Sequence, residues 1–303
     1  MNERPAGTAE YLVTGSGGQL GSELCRQLGD RCRGIDVDEL DITDRRKVQK
    51  TLAQYRPRVV INTAAYTAVD RAEEAGEICM SVNCDAAKIL AEESAAIDAT
   101  LVQISTDYVF GATPDPRVPH LESDTPSANG VYAESKLKGE RQAALNPKHF
   151  VLRTCGLYGQ PGPTSAGNFV TTMIRLGKER EKVSVVNDQY CTPTWVPELA
   201  RAIVYLSERK QSQAELFGTY HIVNGGETTW HGMAQEIFRI AKIECEVEAI
   251  TTEQFGALAP RPAYSVLNTD KYHGLGGPAM SAWNKALAQY VHQIIDVKKQ
   301  HSH

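Results

Sequence analysis

Long apolar runs are missing from this chain: no stretch approaches the roughly 18–20 residues needed to cross a bilayer, so no membrane span is expected. An apolar leader is missing too. Met1 to Glu10 is polar and lacks the core of a signal peptide, which predicts a cytoplasmic protein. Cysteine offers no framework. The seven (Cys25, Cys32, Cys79, Cys84, Cys155, Cys191, Cys245) are scattered, odd in number and never spaced CxxC. They read as free thiols of a reducing compartment, with no zinc site and no disulfide scaffold. No other cluster of metal ligands stands out, and His301-Ser302-His303 reads as a frayed tail with no metal role. Positive charge is not in excess either. The formal net charge of −5 gives no global field for nucleic acid, so any phosphate-bearing ligand must be met by local cations or helix N-termini.

What is present is the length and apolar content of a globular protein, with 303 residues able to bury a sizeable core. The first half alternates short apolar runs with amphipathic stretches, the pattern of repeated βα winding and a parallel sheet. Strands are predicted at Tyr11-Leu12-Val13, Arg33 to Val37, Val59 to Asn62, Thr100 to Ser105 and Phe150 to Thr154. Helices are predicted at Leu20 to Leu28, Asp44 to Tyr55, about Ala72 to Ile97 and Tyr132 to Leu145. After Cys155 the pattern loosens. Gly156 to Gly167 reads as a loop, Phe169 to Lys178 and Pro193 to Leu206 as helices, and Tyr220 to Val223 as a strand. Thr228 to Ile243 and Ala282 to Ile295 read as further helices. The expected architecture is α/β: a Rossmann-like doubly wound parallel sheet with a smaller, discontinuous α/β substrate lobe. Residues 1–155, rejoined by about 190–223, would form the dinucleotide-binding domain, and 156–189 with 224–303 the substrate lobe.

Thr14-Gly15-Ser16-Gly17-Gly18-Gln19-Leu20-Gly21 places Gly15, Gly18 and Gly21 between the first strand and its helix. Glycines there allow a tight turn, close approach of phosphates to the backbone, and tight packing of the helix that follows. A glycine triplet alone is a weak signal; its place at the opening of the first βαβ unit is what points to a dinucleotide. Asp36 closes the second strand, where a carboxylate takes ribose hydroxyls, although a turn residue looks the same in sequence. No arginine follows Asp36 directly to hold an extra phosphate, leaving Arg45 or Arg46 as the nearest candidates. Asp41 and Ile42 either meet the adenine or merely shape the turn.

Tyr132-Ala133-Glu134-Ser135-Lys136 sets a tyrosine and a lysine at i and i+4, on one helix face. A surface pair is the plain reading of that spacing. The chemical reading is that an ammonium lowers a phenol's pKa from about 10 towards the working range. The fourth strand runs into Ile104-Ser105-Thr106-Asp107, and one of the two hydroxyls, not both, should face the same spot because strand side chains alternate.

Together these segments resemble the extended short-chain dehydrogenase/reductases, and within them the dTDP-4-dehydrorhamnose reductase family. The resemblance is carried by TGSGGQLG (Thr14–Gly21), LDITD (Leu40–Asp44), NTAAYTAVDRAE (Asn62–Glu73), STDYVFG (Ser105–Gly111) and YAESK (Tyr132–Lys136). It continues through LRT (Leu152–Thr154), VVNDQYCTPT (Val185–Thr194), GTYHIVNGG (Gly218–Gly226) and RPAYSVLNTDK (Arg261–Lys271).

The resemblance implies an oxidoreductase that uses NADPH or NADH, either one commonly accepted. Its reaction would reduce the C4 keto group of a dTDP-linked 4-keto-6-deoxysugar, dTDP-4-dehydro-L-rhamnose giving dTDP-L-rhamnose. By the same resemblance Tyr132 is the general acid, and Lys136 holds the nicotinamide ribose and tunes the tyrosine. Thr106 touches the substrate carbonyl, with Asp107 in the sugar pocket. Gly18, Gln19 and Leu20 meet the pyrophosphate, Asp36 the ribose, and Asp41-Ile42 the adenine. Ala64, Ala65, Tyr66 and Thr67 line the cofactor cleft. The expected partner is the nucleotide-sugar substrate, with no nucleic acid and no membrane, and the assembly a homodimer.

One departure stands out. After Leu-Arg-Thr the family offers Ser-Trp, whose indole contacts the sugar; this chain has Cys155-Gly156. Either another side chain, such as Tyr158 or one from Gln160–Gly167, fills the gap beside Gly156, or the pocket is wider and the sugar differs. Two other readings stay open: another nucleotide-sugar epimerase or reductase, and a non-catalytic NADP-binding regulatory subunit. A dehydratase fits poorly, because its STDE motif is STDY here.

Overall fold

The computed structural model describes residues 9–112, 117–209 and 216–300, with side chains to residue 296. The readings of residues 1–8 and of His301–His303 concern residues outside these. Six parallel strands form the main sheet: β1 (Tyr11–Thr14), β2 (Cys32–Ile35), β3 (Val59–Asn62), β4 (Thr100–Thr106), β5 (His149–Thr154) and, far along the chain, Gly218–His221. Their order is β2-β1-β3-β4-β5 followed by Gly218–His221. Every residue of β1, β3 and β4 is buried. Strands covered on both faces tend to read as continuous apolar runs, as Tyr11–Val13 and Val59–Ile61 do.

Alternating side chains feed two cores. Tyr11 and Val13 meet Leu20, Leu24 and Leu28 of α1 (Gln19–Leu28), together with Leu199, Ile203 and Leu206 of the helix Val196–Glu208. Leu12 and Val60 face the other way, onto Val48 and Leu52 of α2 (Arg45–Tyr55) and Leu90 of the helix Ala86–Ala96. Helices therefore cover both faces of the sheet. The order of winding reverses between β1 and β3, and in such sheets ligands bind beyond the carboxyl ends of the strands, at the switch.

A third core holds Tyr158, Val170, Ile174, Trp195, Ile237, Phe238, Leu287 and Tyr290. It is built from helices Phe169–Glu179, Trp230–Ala241 and Trp283–Gln300 and from a parallel strand pair, Lys182–Val186 with Glu246–Ile250. Tyr272 and Met280, although late in the chain, pack into the α1 core instead.

Several boundaries differ from the sequence reading. The second strand stops at Ile35, and Val37 is exposed, its N–H taken by the Asp36 carboxylate. The helix expected from Pro193 starts at Val196. Thr194–Trp195 pair with Leu157–Tyr158, and Pro197 sits in the first turn, where a missing N–H costs nothing. The long helix expected from Ala72 runs over 76–96 and is interrupted by a π-helical turn at Ser81–Asp85. The strand pair Lys182–Val186 and Glu246–Ile250 had no counterpart in the sequence reading. No helix among the described residues is long and apolar enough to cross a membrane.

Candidate active site

Beyond the carboxyl ends of β1, β3, β4 and β5 lies a cleft of about 840 Å³. The glycine loop forms one end. Gly15 leaves β1 with φ +72°, and a Cβ there would stand 2.6 Å from the Ala64 nitrogen, so only glycine fits this turn. A Cβ on Gly21 would run into the Gly15 carbonyl, so the helix packs where a side chain would stop it. Gly18 caps α1 without a side-chain hydrogen bond, leaving the first-turn N–H groups of Gln19 and Leu20 for a ligand. Positive φ is needed at Gly15 alone of the three.

Asp36 faces this loop. Its carboxylate accepts from Gly17 N at 2.7 Å and Val37 N at 2.7 Å, and from Thr164 Oγ1 at 3.4 Å. Asp41 accepts from the Thr43 N–H and hydroxyl, which hold its carboxyl below the usual range, and Ile42 is buried beside it. Neither Arg45 nor Arg46 lines the cleft. Arg45 instead pairs with Glu92 and, at 2.5 Å, with Glu93.

Ala64, Ala65, Tyr66 and Thr67 form the wall after β3. Asn83, in the π-helical turn, fixes it: Tyr66 N donates to Asn83 Oδ1 at 2.9 Å, and Asn83 Nδ2 donates back to the Tyr66 carbonyl at 3.1 Å. The same amide reaches Ser135 Oγ at 3.0 Å, and Ser135 donates to the Tyr132 carbonyl at 2.7 Å. One buried amide thus ties the wall to the helix Val131–Ala143. π turns of this kind often occur at functional sites. Sequence periodicity does not reveal them.

Tyr132 lies in that helix's first turn, reached through Gly130 (φ +91°), and Val131 N donates to Glu73 Oε1 at 2.9 Å. Thr106, the last residue of β4, shares a hydrogen bond with Tyr132 and donates to Asp107 Oδ1 at 3.1 Å. Ser105 turns the other way, donating to Glu140 Oε1 at 2.5 Å. Of the two hydroxyls, Thr106 is therefore the one at Tyr132. Lys136 is buried and donates from Nζ to the Ile104 carbonyl at 2.6 Å.

Burial pulls the Lys136 ammonium down to about 8, and the nearby Glu140 carboxylate opposes that fall. Glu140 itself receives Arg153 in a buried two-pronged pair at 2.9 and 2.8 Å. Burial pushes the Tyr132 phenol well above its ordinary value, and the Thr106 hydrogen bond only partly offsets this. The sequence reading expected the ammonium to lower that phenol, but here desolvation wins. Asp107 is buried as well, which drives its carboxyl upward against the hydroxyl of Ser265, donated at 2.5 Å.

Gly156 also borders the cleft, with φ +52°. The side chain beside it is neither Tyr158, which is fully buried in the third core near Tyr290, nor one from 160–167. It is Trp230: a Cβ on Gly156 would stand 3.2 Å from the Trp230 ring. Trp230 begins its helix under a Thr229 cap and leans on Phe169, centroids 4.9 Å apart. The sequence reading took Thr228 to Ile243 simply as a helix, so nothing in it singled out Trp230. The 160–168 segment instead clasps the glycine loop, Thr164 N donating to the Gly17 carbonyl at 3.0 Å and Asn168 Nδ2 to Gln19 Oε1 at 2.9 Å.

Known proteins are similar to this chain in sequence and fold. The RmlD substrate binding domain family matches residues 9–295. A Streptomyces griseus dTDP-4-dehydrorhamnose reductase is 37% identical, the match covering 92% of each chain. A probable dTDP-4,6-dihydroxy-2-methyloxan-3-one 4-ketoreductase of Streptomyces antibioticus is also 37% identical, over 94% of this chain and 95% of its own. The crystal structure of dTDP-4-dehydrorhamnose reductase from Bacillus anthracis in complex with NADP superposes with a TM-score of 0.87 at 37% identity, covering 94% of this chain and 99% of that one. With sequence and fold in agreement over nearly its whole length, this chain belongs to the RmlD substrate binding domain family.

Proposed function

We propose that this chain is an NAD(P)H-dependent reductase of a dTDP-linked 4-keto-6-deoxysugar, converting dTDP-4-dehydro-L-rhamnose to dTDP-L-rhamnose. The observation that carries this reading is the meeting of Tyr132, Thr106 and Lys136 at the end of β4, in one cleft with the glycine loop. The bare first turn of α1 and the side-chain-free cradle of Gly15 suit a pyrophosphate, and Asp36 suits a ribose diol. When bound, NADPH or NADH supplies the hydride.

The protein's own part follows from its electrostatics. Tyr132 holds its proton at neutral pH because burial disfavours the phenolate, the state a general acid needs before a keto oxygen turns into an alkoxide. Thr106 steadies that oxygen with a hydrogen bond. The buried Lys136 ammonium offsets the developing negative charge where little water screens it. Burial raises the Asp107 carboxyl, and its charge is one of the causes that hold the Tyr132 proton in place. Residues 1–155 and about 190–223 serve as the dinucleotide-binding domain, and 156–189 with 224–303 as the substrate lobe, Tyr272 and Met280 returning to the first core. A cytoplasmic homodimer completes the proposal, and sedimentation of the purified chain tests the assembly. The deciding experiment on function follows NADPH and NADH oxidation with dTDP-4-dehydro-L-rhamnose against a panel of other 4-keto sugars. No oxidation with any of them would overturn the reading.

Both cofactors are expected to work within about tenfold of each other. Asp36→Ala should weaken NADH by about tenfold, the scale of one hydrogen bond to a charged group. NADPH should lose less, because the same change removes a charge that repels its extra phosphate. Equal losses in fluorescence titrations would reduce Asp36 to a loop-holding role through Gly17.

Trp230 is proposed as the flat face on which the pyranose stacks, taking the role that Gly156 leaves vacant. Gly156→Trp should then clash with the existing ring and raise KM for the dTDP-sugar about tenfold, a change worth about 1.4 kcal/mol. Adding Trp230→Ala to that variant should bring KM part of the way back. A lower KM in Gly156→Trp alone would mean a wide pocket and a different natural sugar.

A further inference from the structure

Behind the glycine loop lie two thiols that the reductase chemistry leaves unused. Cys25 sits in the middle of α1 and Cys32 opens β2, and their sulfurs are 3.6 Å apart. A Cβ added to Gly34 would stand 2.6 Å from Cys25 Sγ and 2.9 Å from Ser16 Cβ, so Cys25 packs on the same glycine as Ser16 of the turn. Both cysteines are half-buried.

We propose that Cys25 and Cys32 are a redox modification site, closed to a disulfide by a peroxide, and that the closed form binds dinucleotide more weakly. Cys32 donates to Cys25 Sγ and holds that thiol below its ordinary range, which marks Cys25 as the attacking sulfur. Its thiolate attacks the peroxide; an S–O bond forms, the O–O bond breaks, and the departing hydroxide takes a proton to become water. The Cys32 sulfur then attacks the sulfenic sulfur, its proton leaving with the hydroxyl; the S–S bond forms, the S–O bond breaks, and a second water departs. Two thiols lose two electrons and one peroxide gains them.

A disulfide brings its sulfurs to about 2.05 Å, so the two must approach by roughly 1.5 Å from where they stand. Both elements carry the site. The first turn of α1 presents the free N–H groups, and the end of β2 carries Asp36, which holds Gly17 N at 2.7 Å. Moving the Cys25 sulfur disturbs what packs on Gly34, whose other neighbour is Ser16 of the turn. The weakening of dinucleotide binding rests on reading the glycine loop as the cofactor site; the disulfide itself does not.

The test treats the full chain with hydrogen peroxide. Denatured thiol titration should fall by two from the seven present, and a non-reducing peptide map should join the Cys25 and Cys32 peptides. The Kd for NADH should rise about tenfold, the loss of one hydrogen bond to a charged group, and recover with dithiothreitol. Cys25→Ser and Cys32→Ser should bind NADH normally and keep that affinity through the same treatment, although Cys155 in the cleft is still present. The proposal is overturned if no joined peptide forms, if it forms with NADH affinity unchanged, or if the serine variants lose affinity like the parent. Failure of the untreated chain to bind NADH strikes the dinucleotide reading instead, while the peptide map still decides the disulfide.

Discussion

Tyr132→Phe is expected to lower kcat by at least ~100-fold, the usual scale of one general acid, while the affinity for NADH barely moves. The substitution removes one oxygen from a buried position and leaves the ring, including its edge contact with Tyr108 at 5.7 Å. Nothing in the glycine loop depends on that oxygen. The fall should therefore appear in turnover and leave cofactor titrations alone. Thr106 would keep its bonds to Asp107 and to the Tyr108 N–H, so the end of β4 should hold its shape. Steady-state NADPH oxidation decides the matter. A variant with near-normal turnover would take Tyr132 out of the mechanism.

Lys136→Met should damage turnover and cofactor binding together, because one ammonium is assigned to both the ribose and the reacting oxygen. Methionine keeps most of the volume, so the loss is chiefly of charge and of the bond to the Ile104 carbonyl. Turnover should fall by about 100-fold and the Kd for NADH rise about tenfold. Burial has pulled this lysine down to about 8, so its charged form is present below that pH and is lost as pH rises through it. In the parent, kcat/KM for the keto-sugar should decline above about pH 8, and the Lys136→Met profile should lack that limb. An unchanged Kd for NADH in the variant would contradict the ribose role, and an unchanged limb would assign the titration to another group.

Much of this protein could be read from its residues in order, and the reasons are physical. β1, β3 and β4 are buried on both faces, so Tyr-Leu-Val and Val-Val-Ile declare themselves as apolar runs. The glycine loop and Tyr132/Lys136 are local, their spacing fixed by one turn and one helix. What escaped depends on distance through space. Glu246–Ile250 carries charged residues and is largely half-exposed, and its partner strand lies some sixty positions earlier. Asn83 sits in a π turn that periodicity passes over, and Trp230 reaches Gly156 only through the folded chain. Spacing alone predicts a Tyr132 phenol lowered by Lys136; burial, which no spacing of residues displays, raises it instead.

The late arrival of Gly218–His221 has a consequence for the ribosome. β5 is complete at Thr154, yet the strand that covers its outer edge, Gly218–His221, comes only after the whole of residues 155–217. At 5–20 residues per second that edge stands open for several seconds during synthesis, roughly, with Phe150 and Leu152 flanking unpaired N–H and C=O groups. Nascent chains of this protein pass through a stage in which a hydrophobic strand invites pairing with a neighbour on the same polysome. Stalling or truncation between residues 155 and 217 prolongs that stage, and it is there that chaperone demand should concentrate.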